Sequence, residues 1–294
     1  MSIQIELPVI QPSESMSGRR PEWLKVRAPG GEEYARIKSM MRSKALHTVC
    51  EEARCPNVTE CWNAGTATFM IHGDTCTRSC GFCAVKTGRP LPVDFDEPRR
   101  VAEAIAAMQL KHAVITSVNR DELKDGGSEI WAETIRATRA LSPATTIEVL
   151  VPDFKGNMDN LQRIIDERPD ILNHNTETVP RLYKHVRPQG RIHWTLDVLR
   201  EAKRQGMRTK TGVMLGLGET PAEVLDIMRE LRGVEVDVLT LGQYLQPTKN
   251  HLPVDRYVHP DEFKHYETVG LEMGFAIVES GPLVRSSYHA ERHV

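Results

Sequence analysis

The sequence lacks the features that would place the chain in or beyond a membrane. No apolar run approaches the length of a membrane span. The N-terminal stretch MSIQIELPVIQPSESMSG has no basic region followed by an apolar core, and it contains acidic residues. It therefore predicts neither a secretory signal nor a transit peptide. We expect a reducing, cytoplasmic location.

An excess of charge is also missing. The 294 residues carry 38 basic and 40 acidic side chains. This balance argues against a nucleic-acid binder driven by overall positive charge, although it leaves a local basic patch open. Hydrophobic residues make up 40% of the chain, which is enough for a full core. The length suits one large domain or a domain with an attached arm, and we expect no nucleic-acid or membrane partner.

Cysteine is absent from most of the chain. None occurs before residue 50 or after residue 83, and all six lie between these limits. An upstream triplet has the spacing C-x4-C-x5-C, and a downstream triplet, in CTRSCGFC, has the spacing C-x3-C-x2-C. The upstream triplet is Cys50, Cys55 and Cys61, and the downstream triplet is Cys76, Cys80 and Cys83. Six thiols gathered in so short a stretch indicate soft ligands that hold metal in two groups of three.

Each triplet is one ligand short of a closed four-cysteine site. A cubane iron–sulfur cluster is usually held by four cysteines, so three leave one iron open for chemistry. Zinc is an alternative, because His47 and His72 lie nearby and could complete Cys3His sites. Disulfides would need an oxidising compartment, and plain burial of free thiols is a third alternative. Two triplets side by side favour iron–sulfur clusters.

From residue 66 the pattern alternates between strand and helix. Apolar, β-branched segments predict strands at 66–72, 112–116, 146–151, 170–174, 208–216 and 236–241, and a short last strand at 275–279. Helical periodicity predicts helices at 32–46, 97–110, 128–141, 157–167, 193–205, 220–232 and 260–273. This alternation is typical of an α/β fold with a parallel sheet. Six or so units favour a partial (β/α)6 TIM-type barrel over an open doubly wound sheet, with an interior of Val, Ile and Leu.

Polar motifs follow the predicted strands in turn. CTRSCGFC follows the first strand, and SVNRDELKDGG, PDFKGN, NTET, LGET and QYLQPT follow the next five. Because active sites of such barrels lie at the carboxyl ends of the strands, we expect these motifs on one rim. Asn119, Asn175 and Glu177 are therefore candidate ligand-binding residues. Two alternatives stay open: KDGG could be a plain turn, and Asn175 and Glu177 could cap the segment that follows.

A family resemblance rests on several of these motifs. The downstream triplet, with Phe82 before its last cysteine, resembles the signature of radical S-adenosylmethionine (SAM) enzymes. The upstream triplet and RSSYHA at 285–290 resemble the lipoyl synthase family within that superfamily. TSVNRDELKDGG (116–127), NHNTET (173–178), KTGVMLGLGET (210–220) and QYLQPT (243–248) also look like that family. The resemblance extends from about Arg20 to Ala290.

The resemblance implies that the downstream triplet holds one [4Fe-4S] cluster, with Phe82 beside it. SAM would chelate the open iron, and one electron would cleave it to a 5′-deoxyadenosyl radical that takes hydrogen from an unactivated alkyl carbon. Asn119, Asn175 and Glu177 are the residues that we expect to contact SAM. The protein would bind and orient these groups and exclude water and oxygen.

The same resemblance implies a second [4Fe-4S] cluster, on the upstream triplet, that supplies sulfur. Its fourth ligand would be the side-chain oxygen of Ser287, with Ser286 as the alternative. The implied reaction inserts sulfur at carbons 6 and 8 of an octanoyl chain linked to a lysine of a carrier protein. That carrier would be the lipoyl domain of a 2-oxoacid dehydrogenase or the H protein of glycine cleavage. An electron donor and a cluster-assembly protein are further implied partners.

Two other classes of function stay open. One is another two-cluster radical enzyme, such as an RNA methylthiotransferase, although no basic tail domain is present. The other is a non-catalytic zinc-binding module. In each case we expect three parts: an arm with the upstream triplet at 1–65, the barrel at 66–280, and a tail at 281–294 that supplies the serine ligand.

Overall fold

The structure is a computed structural model that describes residues 20–25, 30–52, 55, 57–63 and 66–294. Within the arm expected at 1–65, residues 1–19, 26–29, 53, 54, 56, 64 and 65 lie outside the described residues. In the part of the chain that is described, no helix combines the length and the apolar composition that crossing a membrane requires.

The secondary structure alternates as the sequence predicts. The helices of the described residues are α1 (Glu32–Ser43), α2 (Val49–Glu52), α3 (Val58–Asn63), α4 (Glu97–Met108), α5 (Ser128–Leu141), α6 (Met158–Asp166), α7 (Tyr183–Val186), α8 (Ile192–Arg204), α9 (Pro221–Gly233) and α10 (Pro260–Glu272). The strands are β1 (His47–Thr48), β2 (Thr66–Ile71), β3 (Thr75–Cys76), β4 (Lys86–Thr87), β5 (His112–Ser117), β6 (Thr146–Leu150), β7 (Ile171–Asn173), β8 (Arg208–Leu215), β9 (Val238–Gln243) and β10 (Ile277–Gly281). Every predicted strand and helix occurs, with bounds that differ by a few residues. The short elements β1, β3, β4, α2, α3 and α7 were not predicted, because segments of two to six residues carry too little periodicity.

The central sheet has the order β1-β2-β5-β6-β7-β8-β9-β10. The strands from β2 to β10 in this order pair in parallel, and β1 pairs with β2 in the antiparallel direction. Parallel neighbours that follow one another along the chain, with helices between them, are the topology of a TIM-type barrel. Because β1 and β10 are the edges of the described sheet, the barrel is open on one side. The predicted partial barrel is confirmed.

The outer face of the sheet packs against the helices in an apolar core. On β6, Ile147 and Val149 are fully buried there with Ile105 of α4 and Ile135 of α5. A second cluster of buried apolar side chains lies between β8 and β9 and the helices α9 and α10. Alternate residues of each strand therefore point away from the barrel interior.

The inner face of the barrel is polar, so the expected interior of Val, Ile and Leu is wrong. Lys210 of β8 and Glu148 of β6 are completely buried, and Lys210 Nζ donates to Glu148 Oε2 at 2.8 Å. Asn173 of β7 donates to the other oxygen of Glu148, also at 2.8 Å. Burial alone would raise the pKa of Glu148, but Lys210 and His112 outweigh it and lower the pKa to about 2. Buried charges persist when they are paired in this way.

The C-terminal tail crosses the open side of the barrel. After β10, the carbonyl oxygen of Val284 lies so close to Gly242 of β9 that a Cβ there would come within 2.1 Å of it. Farther along, Glu291 Oε2 accepts a hydrogen bond from Thr66 Oγ1, at the start of β2, at 2.9 Å. The tail therefore connects the β10 edge with β2, beside the helices that carry the upstream triplet.

Candidate functional site

The downstream triplet lies on a loop at the carboxyl ends of the strands. The loop leaves β2 through β3, which ends at Cys76. The backbone N–H groups of Arg78 and Asn119 point at Cys76 Sγ, with N to S distances of 3.4 and 3.3 Å. Thr77 N donates to the Asn119 carbonyl at 3.1 Å. The motifs after β2 and β5 therefore meet around one sulfur, as their place on a common rim predicts.

Arg78, inside the cysteine motif, ties this loop to two other loops. Its buried guanidinium binds Asp121, after β5, through Nε and Nη2, and Asp153, after β6, through Nη1 and Nη2, at 2.6 to 3.0 Å. Burial would raise the pKa of Asp153, but its hydrogen bonds to Arg78 lower it to about 2. This two-sided ion pair fixes the loop, although no spacing pattern in the sequence predicts a role for Arg78 or Asp153.

The other side of the loop is held by backbone contacts. Gly81 N donates to the Val186 carbonyl at 3.0 Å, and the Gly81 carbonyl accepts from Leu252 N at 2.9 Å. A Cβ at Gly81 would come within 2.7 Å of the Leu252 side chain, so the close approach favours glycine. Phe82 and Leu252 both pack against a small buried apolar cluster that includes Tyr244.

Burial dominates the chemistry of the downstream thiols. It raises the pKa of Cys80 to about 11 and the pKa of Cys83 to about 12. The positive charge of Arg187 opposes the increase at Cys80, whereas Glu177 adds to it at both thiols. Glu177 and Arg187 therefore lie close to this triplet, as expected for Glu177.

Glu177 and Asn175 form a polar group with Arg187. Glu177 has a φ of 70°, and its backbone is fixed between Gly212 O at 2.8 Å and Met214 N at 2.9 Å on β8. Burial raises its pKa, against the opposing charge of Arg187. Arg187 Nη1 donates to the Asn175 carbonyl at 2.9 Å, while Asn175 Oδ1 is buried without a hydrogen bond. A non-glycine residue held at positive φ is common at functional sites.

The predicted SAM contacts thus lie around one site, although their roles stay predictions. Asn119 reaches Cys76 through its backbone, and Glu177 and Asn175 approach from the opposite loop. Arg187 was missed, because it follows the short helix α7 and belongs to no spacing pattern. Only the folded chain brings it to Glu177.

An open cavity of about 230 Å³ adjoins the downstream triplet between the loops after β5 and β6. It is lined by Asn119, Arg120, Asp121, Leu123, Lys124, Gly126, Pro152, Phe154, Lys155, Asn157 and Asn160. It meets the triplet through Asn119. The volume suits one part of a ligand, since pockets that enclose a whole drug-sized ligand usually exceed it.

The upstream triplet lies in a second cavity, the upstream cavity, built from both ends of the chain. It is lined by Cys50, Cys55, Asn57, Cys61, Thr66, Thr68, Arg285, Ser287 and Tyr288. The predicted ligand Ser287 thus shares one cavity with all three thiols, whereas the alternative, Ser286, does not line it. The ligand role of Ser287 remains a prediction.

Hydrogen bonds within the segment that carries the thiols, and between this segment and the tail, hold the upstream cavity together. Cys50 lies in α2 and Cys61 in α3, and Cys55 N donates to the Cys50 carbonyl at 3.0 Å. Asn57 Nδ2 donates to the Leu283 carbonyl at 2.7 Å, and Tyr288 OH donates to Glu60 at 3.3 Å. The tail is therefore bonded to the same segment that carries the thiols.

The upstream thiols fit iron–sulfur ligation better than the alternatives. All six cysteines are free. Burial, followed by the neighbouring thiols, raises the pKa of Cys50 and Cys61 to about 12, so metal binding must displace protons. Within the described residues, no three His, Cys, Asp or Glu side chains are placed to hold a single ion. Cluster ligands need not meet that condition, because each cysteine binds a separate iron.

The zinc alternative gains no support from the two histidines. Neither His47 nor His72 lines the upstream cavity. His72 Nε2 lies 3.0 Å from the Gly127 carbonyl, a contact that packs the ring against the loop after β5. The cavity offers three thiols together with the hydroxyl groups of Thr66, Thr68, Ser287 and Tyr288.

Comparisons with known proteins agree with this geometry. The family model of the radical SAM superfamily matches residues 70–231, and the model of the N-terminal domain of lipoyl synthase matches residues 8–55. The crystal structure of methylornithine synthase shares the fold, with a TM-score of 0.57 and 13% identity over 82% of this chain and 74% of that one.

Relatives of nearly the same length are much closer in sequence. Lipoyl synthase of Rubrobacter xylanophilus is 62% identical over 92% of this chain and 85% of its own length. Mitochondrial lipoyl synthase of Nematostella vectensis is 55% identical over 94% of this chain and 95% of its own. With the two triplets in their places at the rim and beside the tail, the chain belongs to the lipoyl synthase family of the radical SAM superfamily.

Proposed function

We propose that the protein inserts two sulfur atoms, at carbons 6 and 8, into a protein-bound octanoyl group to form the lipoyl cofactor. The observation that carries this proposal is the upstream cavity, where Ser287 joins Cys50, Cys55 and Cys61. The downstream triplet lies on a separate loop at the barrel rim, so the chain has two cysteine sites. Family membership supports the same reaction.

The downstream triplet would hold the cluster that binds SAM. When bound, that cluster and SAM supply the radical that removes hydrogen from an alkyl carbon. The chain's own part is orientation: N–H groups of Arg78 and Asn119 donate to Cys76 Sγ, and Arg78 fixes the loop on Asp121 and Asp153. Glu177 would bind a polar part of SAM, with Arg187 balancing its charge.

The upstream triplet and Ser287 would hold a second [4Fe-4S] cluster, the source of sulfur. The hydroxyl oxygen of Ser287 is a harder ligand than thiolate, whereas iron in a cluster lies among soft sulfides. Its bond to iron should therefore be the most easily exchanged of the four. Cys50 is buried, whereas Cys55 and Cys61 are partly exposed, so a cluster there would be shielded from water chiefly on the Cys50 side.

Partners and parts follow from the reaction. The substrate is carried by a protein, which we propose is a 2-oxoacid dehydrogenase lipoyl domain or a glycine-cleavage H protein. An electron donor and a cluster-assembly protein must also reach the enzyme. We propose three parts of the chain: the arm at 1–65, the barrel at 66–280 and the tail at 281–294. A cytoplasmic location stays a prediction, since one relative is named as mitochondrial.

Metal analysis and product analysis together test the proposal. Protein reconstituted under anaerobic conditions should contain about eight irons and a similar amount of sulfide per chain. With SAM, a reductant and an octanoyl-lysyl peptide, mass spectrometry should detect the peptide carrying two added sulfurs. Stoichiometric zinc without iron, or methylthiolation of RNA with no change in the peptide, would exclude the proposal.

A further inference from the structure

Arg285 is a cation in the upstream cavity that has no carboxylate partner among the described residues. It lines the cavity together with Cys55 and Ser287. Its Nη1 donates to the Val284 carbonyl at 2.7 Å, which leaves the rest of the guanidinium free to bind another group. The charges close enough to act on it are Cys55, which attracts it when ionised, and Arg20, which repels it.

The position of Arg285 is fixed by the backbone of the tail. At Gly242 of β9, an added Cβ would lie 2.1 Å from the Val284 carbonyl oxygen and 3.5 Å from Arg285 Nη1. Val284 itself is buried, and Leu283 is bonded to Asn57. The backbone that carries Arg285 is therefore held against the sheet beside the cavity.

An unpaired, partly buried cation is unfavourable unless an anion joins it. The ligand form of cysteine is the thiolate, so a cluster on Cys50, Cys55 and Cys61 brings negative charge into the cavity. A guanidinium suits this task because it stays charged at all accessible pH values and offers several donors in a fixed plane. In the described residues, Arg285 is the cationic side chain that lines the cavity.

We propose that Arg285 is a positioning residue for the upstream cluster: its guanidinium compensates the charge of the three thiolates and donates a hydrogen bond on the Cys55 side. The inference rests on the proposed function, because it requires a cluster in this cavity. Arg285 acts through the cysteine ligands and is not itself a ligand.

The test compares Arg285→Gln and Arg285→Lys with the wild-type holoenzyme. Arg285→Gln should lose the iron of the upstream cluster to a chelator about ten- to hundredfold faster, the usual effect of removing a partner of a metal ligand. Its upstream cluster should also be reduced at a more negative midpoint potential, because a positive charge has been removed. Arg285→Lys keeps the charge and should restore most of both properties. Arg292→Gln, at an exposed arginine of the same tail, is the matched control.

The outcomes separate this inference from the proposed function. If wild-type protein holds only about four irons, the proposed upstream cluster itself is wrong. If wild-type protein holds about eight irons and Arg285→Gln retains them at the same rate and potential, only the role of Arg285 is wrong. An increase in KM for the octanoyl substrate without either change would assign the guanidinium to substrate binding and overturn the proposal.

Folding is monitored in the same samples by circular dichroism and by SAM cleavage at the downstream cluster. If Arg285→Gln does not fold, Arg285→Lys decides. Wild-type iron retention in the lysine variant supports charge compensation, whereas loss of the upstream cluster from folded lysine variant contradicts it.

Discussion

The downstream triplet lies within eight consecutive residues, whereas the upstream triplet shares its cavity with residues from the far end of the chain. The downstream loop is held by hydrogen bonds and ion pairs to other barrel loops, at Asn119, Asp121, Asp153, Val186 and Leu252. The upstream cavity is enclosed by short helices, β2 and the tail.

Because of this difference, the two sites depend on the fold in different ways. The contacts described for the downstream loop all come from other loops of the barrel, so they form when the barrel forms. The upstream cavity is complete only when the tail has packed against Gly242 and reached Thr66. We therefore expect changes in the tail to affect the upstream site alone, and changes in the rim to affect the downstream site first.

The strongest test exchanges one thiol in each triplet. Cys80→Ala should abolish reductive cleavage of SAM, because the cluster that binds SAM loses a ligand. Cys55→Ala should leave cleavage largely intact but stop sulfur insertion. The measurements are 5′-deoxyadenosine release and the mass of the octanoyl peptide. Equal loss of cleavage in both variants, with the fold preserved, would refute the division of labour.

Ser287 tests whether the tail supplies a ligand. Ser287→Cys should still assemble two clusters, but sulfur insertion should slow by roughly ten- to hundredfold, because a thiolate holds iron too firmly. Ser287→Ala should weaken the upstream cluster, and Ser286→Ala, next to it but outside the cavity lining, is the control. Full activity of both Ser287 variants would redirect attention to Ser286 or His289.

Arg78 tests the support of the downstream loop. Arg78→Met leaves Asp153 as a buried carboxylate without its main partner, so the free energy of unfolding should fall by about 3 to 5 kcal/mol. Iron should be lost from the downstream cluster before the upstream one. Urea unfolding and iron analysis measure both effects. The exposed Arg99, which forms ion pairs on α4, provides the control: Arg99→Gln should change the free energy of unfolding far less, because exposed ion pairs contribute little to stability. Equal effects of the two substitutions would show that the buried pair has no special role.

The smallest expected effect is a dependence of the stability of the metal-free protein on pH. Folding raises the pKa of Cys50 from 9.0 to about 12, chiefly through burial. The stability that comes from the protonated thiol is therefore complete below pH 9 and is lost as the pH rises from 9 toward 12. The contribution of Cys50 to this loss should be roughly 1 kcal/mol per pH unit above 9.

Urea unfolding of the metal-free protein at several pH values measures this loss, with Cys50→Ala as reference. The variant should have the flatter profile, because it lacks the thiol. Identical profiles would mean that Cys50 titrates normally in the folded chain.

The barrel, the approximate bounds of its longer strands and helices, the grouping of the cysteines and the rim where the motifs gather could all be predicted from the sequence. These features depend on local signals: periodicity over ten or so residues, short ligand spacings, and the rule that loops after parallel strands share one edge. The resemblance of RSSYHA to a family motif also selected Ser287 before its surroundings were known.

Which distant side chains meet could be seen only in the folded chain. Lys210 and Glu148 lie on strands that read as ordinary apolar segments, yet they pair inside the barrel. Arg78 reaches Asp153, which lies 75 positions farther along the chain, and Arg187 reaches back 12 positions to Asn175. The reason is that a charged residue at an alternate position of a strand gives the same local sequence pattern whether its side chain faces water or a buried partner. Packing of neighbouring strands, and the close approach of the tail to Gly242, settle which of the two occurs.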